Sequence, residues 1–304
     1  METRQTTLVL LAAGMGSRYG GVKQIDGVGP GGEAIIDYSI YDALEAGFTD
    51  LCFIVRAEIE EAVREFFDGK FPADVGVSFA IQSLTDIPGN HEIPADRAKP
   101  WGTAHAVYAA RHAVKNPFAV VNADDFYGRD SYRQLHHYLV GKPAESTDYA
   151  MVGFRLDETL SPHGTVSRGI CRADSEGYLQ EIVEHTKIQK KDSIESLQAD
   201  GSVVELSADS IASMNMFGFT PAVFGQIEVE FEKFLQTGAS NPKSEFYIPS
   251  LMTGLINSGD ARMQVLPTSS QWFGMTYRED RAEVESRIRG YVDGGDYPQK
   301  LWNR

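Results

Sequence analysis

The sequence predicts an α/β protein in which a mostly parallel sheet flanked by helices is followed by a β-rich elaboration. Apolar runs of strand length alternate with helix-length segments over residues 1–147, and this alternation favours parallel strands joined by right-handed crossovers. From residue 148 onward, short strand-like segments and turns dominate, with helices near the C-terminus. No Pro- or Ser-rich linker separates the two halves, so we expect one domain over residues 1–304.

The first half is predicted to hold four strands with helices between them. Apolar or alternating runs predict strands at Leu8–Leu11, Leu51–Val55, Val75–Phe79 and Phe118–Val121. Apolar residues at helical spacing predict the helices, with Asp37 and Thr103 as N-caps and Gly47 as a stop signal. The helix that begins at Thr103 is expected to continue through Val114.

The second half is predicted to be a series of strands followed by helices. The expected strands are Tyr149–Phe154, Thr165–Arg172, Tyr178–Ile188 and Ala212–Phe219, with a hairpin over Ser193–Leu206 that turns at Asp200-Gly201. Thr220-Pro221 is expected to open a helix, and residues 279–291 to form an amphipathic one. The hairpin is also a candidate interface between copies of the chain.

Charge and composition exclude several classes of function. The chain has 43 acidic and 28 basic residues, which give a net charge of −15. A nonspecific binder of nucleic acid or of anionic membranes needs a basic surface, so we expect neither partner. Cys52 and Cys171 form no Cys-x-x-Cys pair, which argues against a structural disulfide or zinc site. No apolar stretch approaches the roughly 18 residues of a membrane span, and we expect a cytoplasmic protein.

A glycine-rich loop with the sequence LAAGMGSRYGGVKQ follows the first strand. Gly14 and Gly16 let the backbone approach a ligand closely, and successive amides can face phosphate oxygens. Arg18 and Lys23 add positive charge of the kind a polyphosphate requires. A dinucleotide fingerprint would need glycine where Tyr19 stands, and a Walker A loop would need glycine before the lysine. A flexible turn with incidental charge is the alternative.

Two further motifs follow predicted strands. Asn122-Ala123-Asp124-Asp125 comes directly after the fourth strand, where a carboxylate lies over the ligand crevice of such sheets and could bind Mg²⁺ together with phosphates. A simple turn cap is the alternative.

Gly102 precedes a helix whose free amides suit a phosphate or a base edge, with a plain helix start as the alternative. His105, within that helix, is expected to be a packed residue. Residues 83–100 show no periodicity and are either a lid or a disordered loop.

The opening motif resembles that of the nucleotidyltransferase family that activates sugar 1-phosphates and related phosphates with an NTP. The resemblance implies a Rossmann-like nucleotide-diphospho-sugar transferase fold. It implies that the loop wraps the triphosphate and that Arg18 and Lys23 neutralise charge as pyrophosphate leaves. The loop residues carried over are Leu11, Ala12, Ala13, Gly14, Gly16 and Ser17. The resemblance also implies that Gln82, Gly102 and Thr103 contact the nucleobase, and it places Asp124 in the metal position.

The later strands resemble the acceptor side of the same family. His163-Gly164-Thr165-Val166 resembles a Gly-x-Val strand, and Glu184-His185-Thr186-Lys187 resembles a Glu-Lys-Pro motif in which Lys187 would supply the charge. The resemblance therefore implies that Gly164, Glu184 and Lys187 bind the acceptor, and that Asn215 is the second Mg²⁺ ligand. The alternatives are a solvated edge strand at 182–187 and a buried asparagine that bridges backbone groups.

The implied reaction is transfer of a nucleoside monophosphate from an NTP to a phosphorylated acceptor, with Mg²⁺ as cofactor and pyrophosphate as product. A sugar 1-phosphate is favoured because a carboxylate such as Glu184 can accept two hydroxyl hydrogen bonds. No aromatic cluster stands beside it in the sequence to cage a quaternary ammonium. A phosphocholine-type cytidylyltransferase, a nucleotide-sugar-dependent glycosyltransferase and a non-catalytic nucleotide-binding relative are the alternatives.

Overall fold

The structure is a computed structural model that describes residues 5–14, 27–198, 200–275 and 280–302. Its strands are β1 (Thr7–Leu11), β2 (Asp50–Val55), β3 (Gly76–Ile81), β4 (Phe118–Asn122), β5 (Asp125–Phe126), β6 (Asp148–Arg155), β7 (Val166–Ala173), β8 (Leu179–Lys190), β9 (Ile194–Leu197), β10 (Val203–Leu206), β11 (Ile211–Phe219), β12 (Arg262–Pro267) and β13 (Phe273–Gly274). Its α-helices are α1 (Ile35–Ala46), α2 (Glu60–Phe67), α3 (Thr103–Ala109), α4 (Arg129–Leu139), α5 (Ala222–Gly238), α6 (Ile248–Ser258) and α7 (Asp280–Asp293).

Eleven strands of the described chain form one mixed sheet. The strand order is β10-β9-β8-β7-β11-β4-β1-β2-β3, with β6 beside β11 and β12 beside β6. The strands β3, β2, β1 and β4 run parallel to one another, whereas β7 to β10 pair antiparallel. The predicted fold class is therefore confirmed, as a parallel core flanked by helices with an antiparallel, β-rich second half.

Along one of its two edges, strand β11 pairs first with β7 and then with β4. Ile211–Ser213 pairs with β7 and Phe217–Phe219 pairs with β4, while β6 lies along the other edge. The pairing register with β6 shifts between these two stretches, and Asn215, which lies there, has a φ of 60°. Asparagine tolerates this left-handed conformation better than most residues. The sheet is consequently interrupted between the start of β7 and the end of β4.

The helices cover both faces of the sheet because successive strand residues point to opposite sides. Leu8 and Leu10 belong to a core cluster that includes α1, α2 and α4. Val9 belongs to a second cluster that includes α3, α5 and α6. Within the described ranges, no helix combines the length and the apolar character needed to cross a bilayer.

A third cluster joins α1 to α7 and to the C-terminal tail, which we define as residues 294–302. The Tyr297 hydroxyl donates to Asp42 Oδ2 at 2.6 Å. The Leu301 amide donates to Glu33 Oε1 at 3.2 Å, and Trp302 Nε1 donates to Asp37 Oδ1 at 2.9 Å. The tail thereby satisfies carboxylates on and just before α1 that lie 255 to 268 positions earlier in the chain.

The predicted hairpin and the absence of a disulfide agree with the structure. β9 and β10 pair antiparallel, and the Gly201 amide donates to the Gln198 carbonyl at 3.0 Å in the turn. Both Cys52 and Cys171 are free.

Two predicted N-caps are wrong, one by three residues and the other by one. The N-cap of α1 is Ala34, and Asp37 acts from the first turn, where its Oδ2 accepts the Ala34 amide at 2.9 Å. The N-cap of α3 is Gly102 rather than Thr103, and α3 gives way to a 3-10 turn at residues 110–112 instead of continuing to Val114. An aspartate can satisfy end amides from inside the helix as well as from the cap position, so the residue type alone does not fix the boundary.

Candidate active site

A cleft of about 260 Å³ lies at the interruption between β7 and β4. The described residues that line it come mainly from the end of β4, the start of β7, the middle of β8 and of β11, and the segment around β13. They are Asn122, Asp124, Asp125, Ser167, Arg168, Gly169, Glu184, Ser213, Met214, Asn215, Pro249, Trp272 and Met275. The structure thus brings together the predicted metal residues Asp124 and Asn215 and the predicted acceptor residue Glu184.

The two adjacent aspartates occupy different environments. Asp125 is buried in β5, where its Oδ2 accepts hydrogen bonds from Asn122 Nδ2 at 2.8 Å and from the Tyr127 hydroxyl at 3.2 Å. Burial, reinforced by the neighbouring Asp124 carboxylate, raises the pKa of Asp125 to about 7. Asp124 is exposed at the cleft. Asp124 is therefore the carboxylate that a ligand can reach, and Asp125 supports the strand end from behind.

The donor set at this point suits a hard cation. Asp124 and the Asn215 amide can offer oxygen ligands, which Mg²⁺ prefers, and Mg²⁺ commonly takes one or two protein ligands with phosphates and water completing its octahedron. Among the described residues, no group of three or more His, Cys, Asp and Glu side chains is placed to hold a metal ion without further ligands. The residues present therefore fit an ion that also binds substrate phosphates.

The acceptor side of the cleft is shaped by Gly169. In the sheet register Gly169 lies between Glu184 on β8 and Ser213 on β11. A Cβ at Gly169 would lie 3.7 Å from both Glu184 Oε2 and Ser213 Cβ, and 2.7 Å from Ile182 Cγ2. Partial burial raises the pKa of Glu184, and the positive charge of Arg168 opposes this shift. Gly169 therefore keeps open the space beside the Glu184 carboxylate.

The other two predicted acceptor residues lie elsewhere. Gly164 is exposed before the start of β7, and Lys187 is exposed on β8 with a φ of 50°. Neither belongs to the described lining of the cleft. Their acceptor-binding roles stay predictions that this arrangement of the chain does not support.

The start of the glycine-rich loop lies beside the Asp124 strand end. The Ala123 amide donates to the Leu11 carbonyl at 3.3 Å, and the Ala12 amide donates to the Ile54 carbonyl at 2.9 Å. Ala13 and Gly14 follow directly, and a Cβ at Gly14 would meet nothing within 4 Å. The loop therefore begins next to the cleft, and Gly14 has open space where a side chain would stand. The predicted binding residues Gly16, Ser17, Arg18 and Lys23 lie outside the described residues.

The predicted base-reading residues form a hydrogen-bonded group at the start of α3. Gln82 Nε2 donates to the Gly102 carbonyl at 3.1 Å and lies 3.2 Å from His105 Nδ1, and His105 Nε2 lies 3.1 Å from the Asp86 carbonyl. Burial lowers the pKa of His105 to about 4, so its neutral ring accepts at Nδ1 and donates at Nε2. This network leaves the Gln82 amide oxygen as the atom that can accept a hydrogen bond from a base. His105 is buried, as expected.

Thr103 and residues 83–100 are held by contacts within the protein. Thr103 Oγ1 accepts the Ile248 amide at 3.1 Å. In the 83–100 segment, Asp86 pairs with Arg111 at 2.5 Å, and Arg97 Nη2 donates to the Ser244 carbonyl at 2.7 Å. The segment is irregular, as predicted, but it is anchored to the 3-10 turn after α3 and to the connection between α5 and α6 rather than disordered.

Two lining residues, Arg168 and Ser213, were not identified from the sequence. The Arg168 guanidinium donates to the Ser167 carbonyl at 2.8 Å and to the Thr159 carbonyl at 2.5 Å. Arg168 Cζ lies 4.9 Å from the centre of the Trp272 ring. An arginine inside the strand VSRGIC was the available signal, but a register shift between Val166 and Arg168 decides which way it faces.

Comparison with known proteins is consistent with this geometry. A family model described as Nucleotidyl transferase matches residues 8–272. A solved UDP-glucose pyrophosphorylase complexed with UDP-glucose is 15% identical with a TM-score of 0.59, over 94% of this chain and 99% of that one. The inositol-1-phosphate CTP transferase from T. maritima is 12% identical with a TM-score of 0.58, over 94% of this chain and 97% of that one. No curated protein sequence matches the chain.

At these identities the solved structures show a shared fold. The family match carries the stronger conclusion because it extends over most of the sequence, from β1 to the Trp272 that lines the cleft. The chain belongs to the nucleotidyl transferase family of enzymes.

Proposed function

We propose that the chain transfers a nucleoside monophosphate from an NTP to a sugar 1-phosphate and releases pyrophosphate. The observation that carries this proposal is the single cleft in which Asp124, Asn215 and Glu184 lie together, next to the strand end that begins the glycine-rich loop. The names of the two structural relatives describe nucleotides joined to a sugar or to inositol phosphate, and this supports the same class of acceptor.

The reaction requires positioning more than proton abstraction. An oxygen of the acceptor phosphate attacks the α-phosphorus, the bond between the α- and β-phosphates breaks, and pyrophosphate leaves with the electron pair. Such chemistry is accelerated by holding the reactants in line and by neutralising charge. In this proposal Arg18 and Lys23 neutralise the triphosphate, Gln82 with the start of α3 binds the base, and Glu184 holds acceptor hydroxyls.

Mg²⁺ is the proposed cofactor, with Asp124 and Asn215 as its protein ligands. When bound, the ion would neutralise charge on the reacting phosphates. The buried Asp125 and its partners Asn122 and Tyr127 hold the β4–β5 connection in place, and thereby fix the position of the Asp124 carboxylate.

The lining of the cleft favours a sugar phosphate over phosphocholine. A quaternary ammonium is recognised by the faces of several aromatic rings. Trp272 is the single aromatic residue among the described lining residues, and Arg168 already occupies a position over its ring. A second cation at that place would be repelled, whereas hydroxyl groups can bind Glu184.

The experiment is a pyrophosphate-release assay with each NTP and a panel of acceptors that contains hexose 1-phosphates, inositol 1-phosphate and phosphocholine. We expect release with at least one sugar phosphate and none with phosphocholine. Release with no NTP and acceptor pair would refute the proposed function, and release with phosphocholine alone would refute the proposed acceptor.

The metal assignment is checked separately with Asp124→Ala. We expect loss of nearly all Mg²⁺-dependent release, because the exposed carboxylate at the cleft is removed. Asp209→Ala is the matched control, since Asp209 is an exposed aspartate whose partner is Arg155, at 2.6 Å, on the surface. Wild-type turnover by Asp124→Ala would contradict the assignment.

A further inference from the structure

Arg168 is the single cationic side chain in the described lining of the cleft. Three acidic residues line the same space, namely Asp124, Asp125 and Glu184. Burial lowers the pKa of Arg168, and the carboxyl groups of Asp125 and Glu184 oppose this shift. Arg168 lies on β7 directly beside β8, the strand that carries the proposed acceptor residue Glu184, and it lines the same cleft as Asp124.

Arg168 retains hydrogen-bonding capacity that the protein does not use. A guanidinium has five N–H donors, and in the described structure one is donated to the Thr159 carbonyl and one to the Ser167 carbonyl. Its Nε is buried without a hydrogen-bond partner. Buried donors without partners are rare in folded proteins, and a bound ligand or water is a common explanation.

Two other buried donors at the same cleft also lack partners. The Ser213 hydroxyl and Trp272 Nε1 make no hydrogen bond in the described structure, and both residues line the cleft. Ser213 lies opposite Gly169, the residue that follows Arg168 on β7. Three neighbouring donors without acceptors point to an occupant that is rich in acceptor oxygens.

We propose that Arg168 and Ser213 bind the phosphate group of the acceptor, an inference that rests on the proposed nucleotidyl transfer. A phosphate supplies several acceptor oxygens and a negative charge, and arginine binds it through charge-assisted hydrogen bonds. Arg168 shares the cleft with Asp124 and Glu184, and the proposed function would place the sugar hydroxyls at Glu184 and the triphosphate near Asp124, with the acceptor phosphate between them. Arg168 thereby takes the role that the family resemblance implied for Lys187.

The experiment measures binding of glucose 1-phosphate, inorganic phosphate and glucose by calorimetry, together with the acceptor KM and the NTP KM. The variants are Arg168→Gln, Arg168→Lys and Ser213→Ala. Arg172→Gln is the matched control, because Arg172 lies on the same strand but is exposed and paired with Glu181 at 3.2 Å. Any sugar phosphate that is turned over replaces glucose 1-phosphate in the KM measurements.

We expect Arg168→Gln to weaken phosphate binding and to raise the acceptor KM by roughly 10- to 100-fold, the range for hydrogen bonds to charged groups. Arg168→Lys should recover part of this loss, and the NTP KM and the Arg172→Gln variant should stay close to wild type. Ser213→Ala should raise the acceptor KM several-fold without lowering Tm, because its hydroxyl makes no hydrogen bond in the described structure.

The outcomes separate this inference from the proposed function. Pyrophosphate release with wild-type acceptor KM in both Arg168→Gln and Ser213→Ala would overturn the phosphate site and leave the function standing. Arg168-dependent binding of glucose 1-phosphate without release from any pair would support the site and refute the function. Equal affinity of the wild-type protein for glucose and glucose 1-phosphate would also overturn the site.

Discussion

The buried carboxyl group of Asp42 predicts an unusual pH dependence of stability. Asp42 lies on α1 beneath the C-terminal tail and is fully buried. The Tyr297 hydroxyl donates to its Oδ2 at 2.6 Å, and Arg129 Nε lies 3.5 Å from its Oδ1. Both contacts favour the charged form. Burial outweighs them and raises the pKa of Asp42 from 3.8 to about 7.

The sign of the effect follows from comparing the folded and unfolded chains. The unfolded chain releases the Asp42 proton near pH 4, whereas the folded protein keeps it until about pH 7. The stabilisation is therefore fully present below the unfolded pKa and is lost as the pH rises through the folded one. A rise from 3.8 to about 7 corresponds to about 4 kcal/mol of unfolding free energy, at ~1.36 kcal/mol for each tenfold change.

The perturbation is Asp42→Asn, which stays neutral at every pH and can still accept the Tyr297 hydrogen bond. We expect the variant to be more stable than wild type at pH 8, by up to about 4 kcal/mol, with a difference that closes as the pH falls to about 4. Urea unfolding at several pH values between these limits measures it. The exposed Asp209→Asn is the control, and its effect should not exceed about 1 kcal/mol. The reasoning would be refuted if the difference in unfolding free energy between Asp42→Asn and wild type were the same at pH 4 and pH 8. It would also be refuted if the wild-type protein were more stable than Asp42→Asn at pH 8.

Three further changes have defined expected outcomes. Gly102→Ala should lower the free energy of unfolding for two reasons: φ is 106°, and the new Cβ would lie 2.6 Å from the Phe246 carbonyl oxygen. The strained backbone alone costs about 1–3 kcal/mol, and the clash should add to this loss. Gly69→Ala is the control, because Gly69 has a φ of 63° and open space around its Cβ, so urea unfolding should show only the cost of the strained backbone. Equal losses of unfolding free energy in the two variants would contradict the clash at Gly102. Phe231→Ala should cost about 3–5 kcal/mol, since its ring is fully buried, and a loss below about 1 kcal/mol would mean that the site can collapse. Trp302→Phe removes one hydrogen bond to α1 and should lower stability by about 1–2 kcal/mol, and an unchanged unfolding midpoint would show that this bond adds nothing.

The strands of the parallel core could be predicted from the sequence because each is a short apolar run buried on both faces. Leu8, Val9 and Leu10 are all inaccessible to solvent, so the run itself is the signal and no periodicity is needed. Helix starts were less accurate, as Asp37 shows, since its carboxylate accepts the Ala34 amide from within the first turn.

Asp124 was predicted from its place directly after a strand, whereas Asn215 and Glu184 were implied by the resemblance to the family. The three residues line one cleft. Gly169 and Arg168 were missed because their importance depends on register: Gly169 lies between Glu184 and Ser213 only through the pairing of β7 with β8 and β11. The sequence shows the spacing of residues along one strand. The orientation of Arg168 also depends on the register shift in the pairing of β7 with β8.

The contacts of the C-terminal tail bear on the order in which the chain can become stable during synthesis. Glu33, Asp37 and Asp42 are synthesised well before residues 297–302, yet they receive hydrogen bonds from them. Until residues 297–302 emerge from the ribosome, the apolar surface of α1 that meets the tail stays uncovered and these carboxylates lack these donors. The packing around α1 is therefore expected to be completed only after residues 297–302 have been made, although domains generally fold from the N-terminus during synthesis. A chain truncated directly before Tyr297 would then lose more of the packing of α1 than of the sheet strands that lie nearer to the truncation.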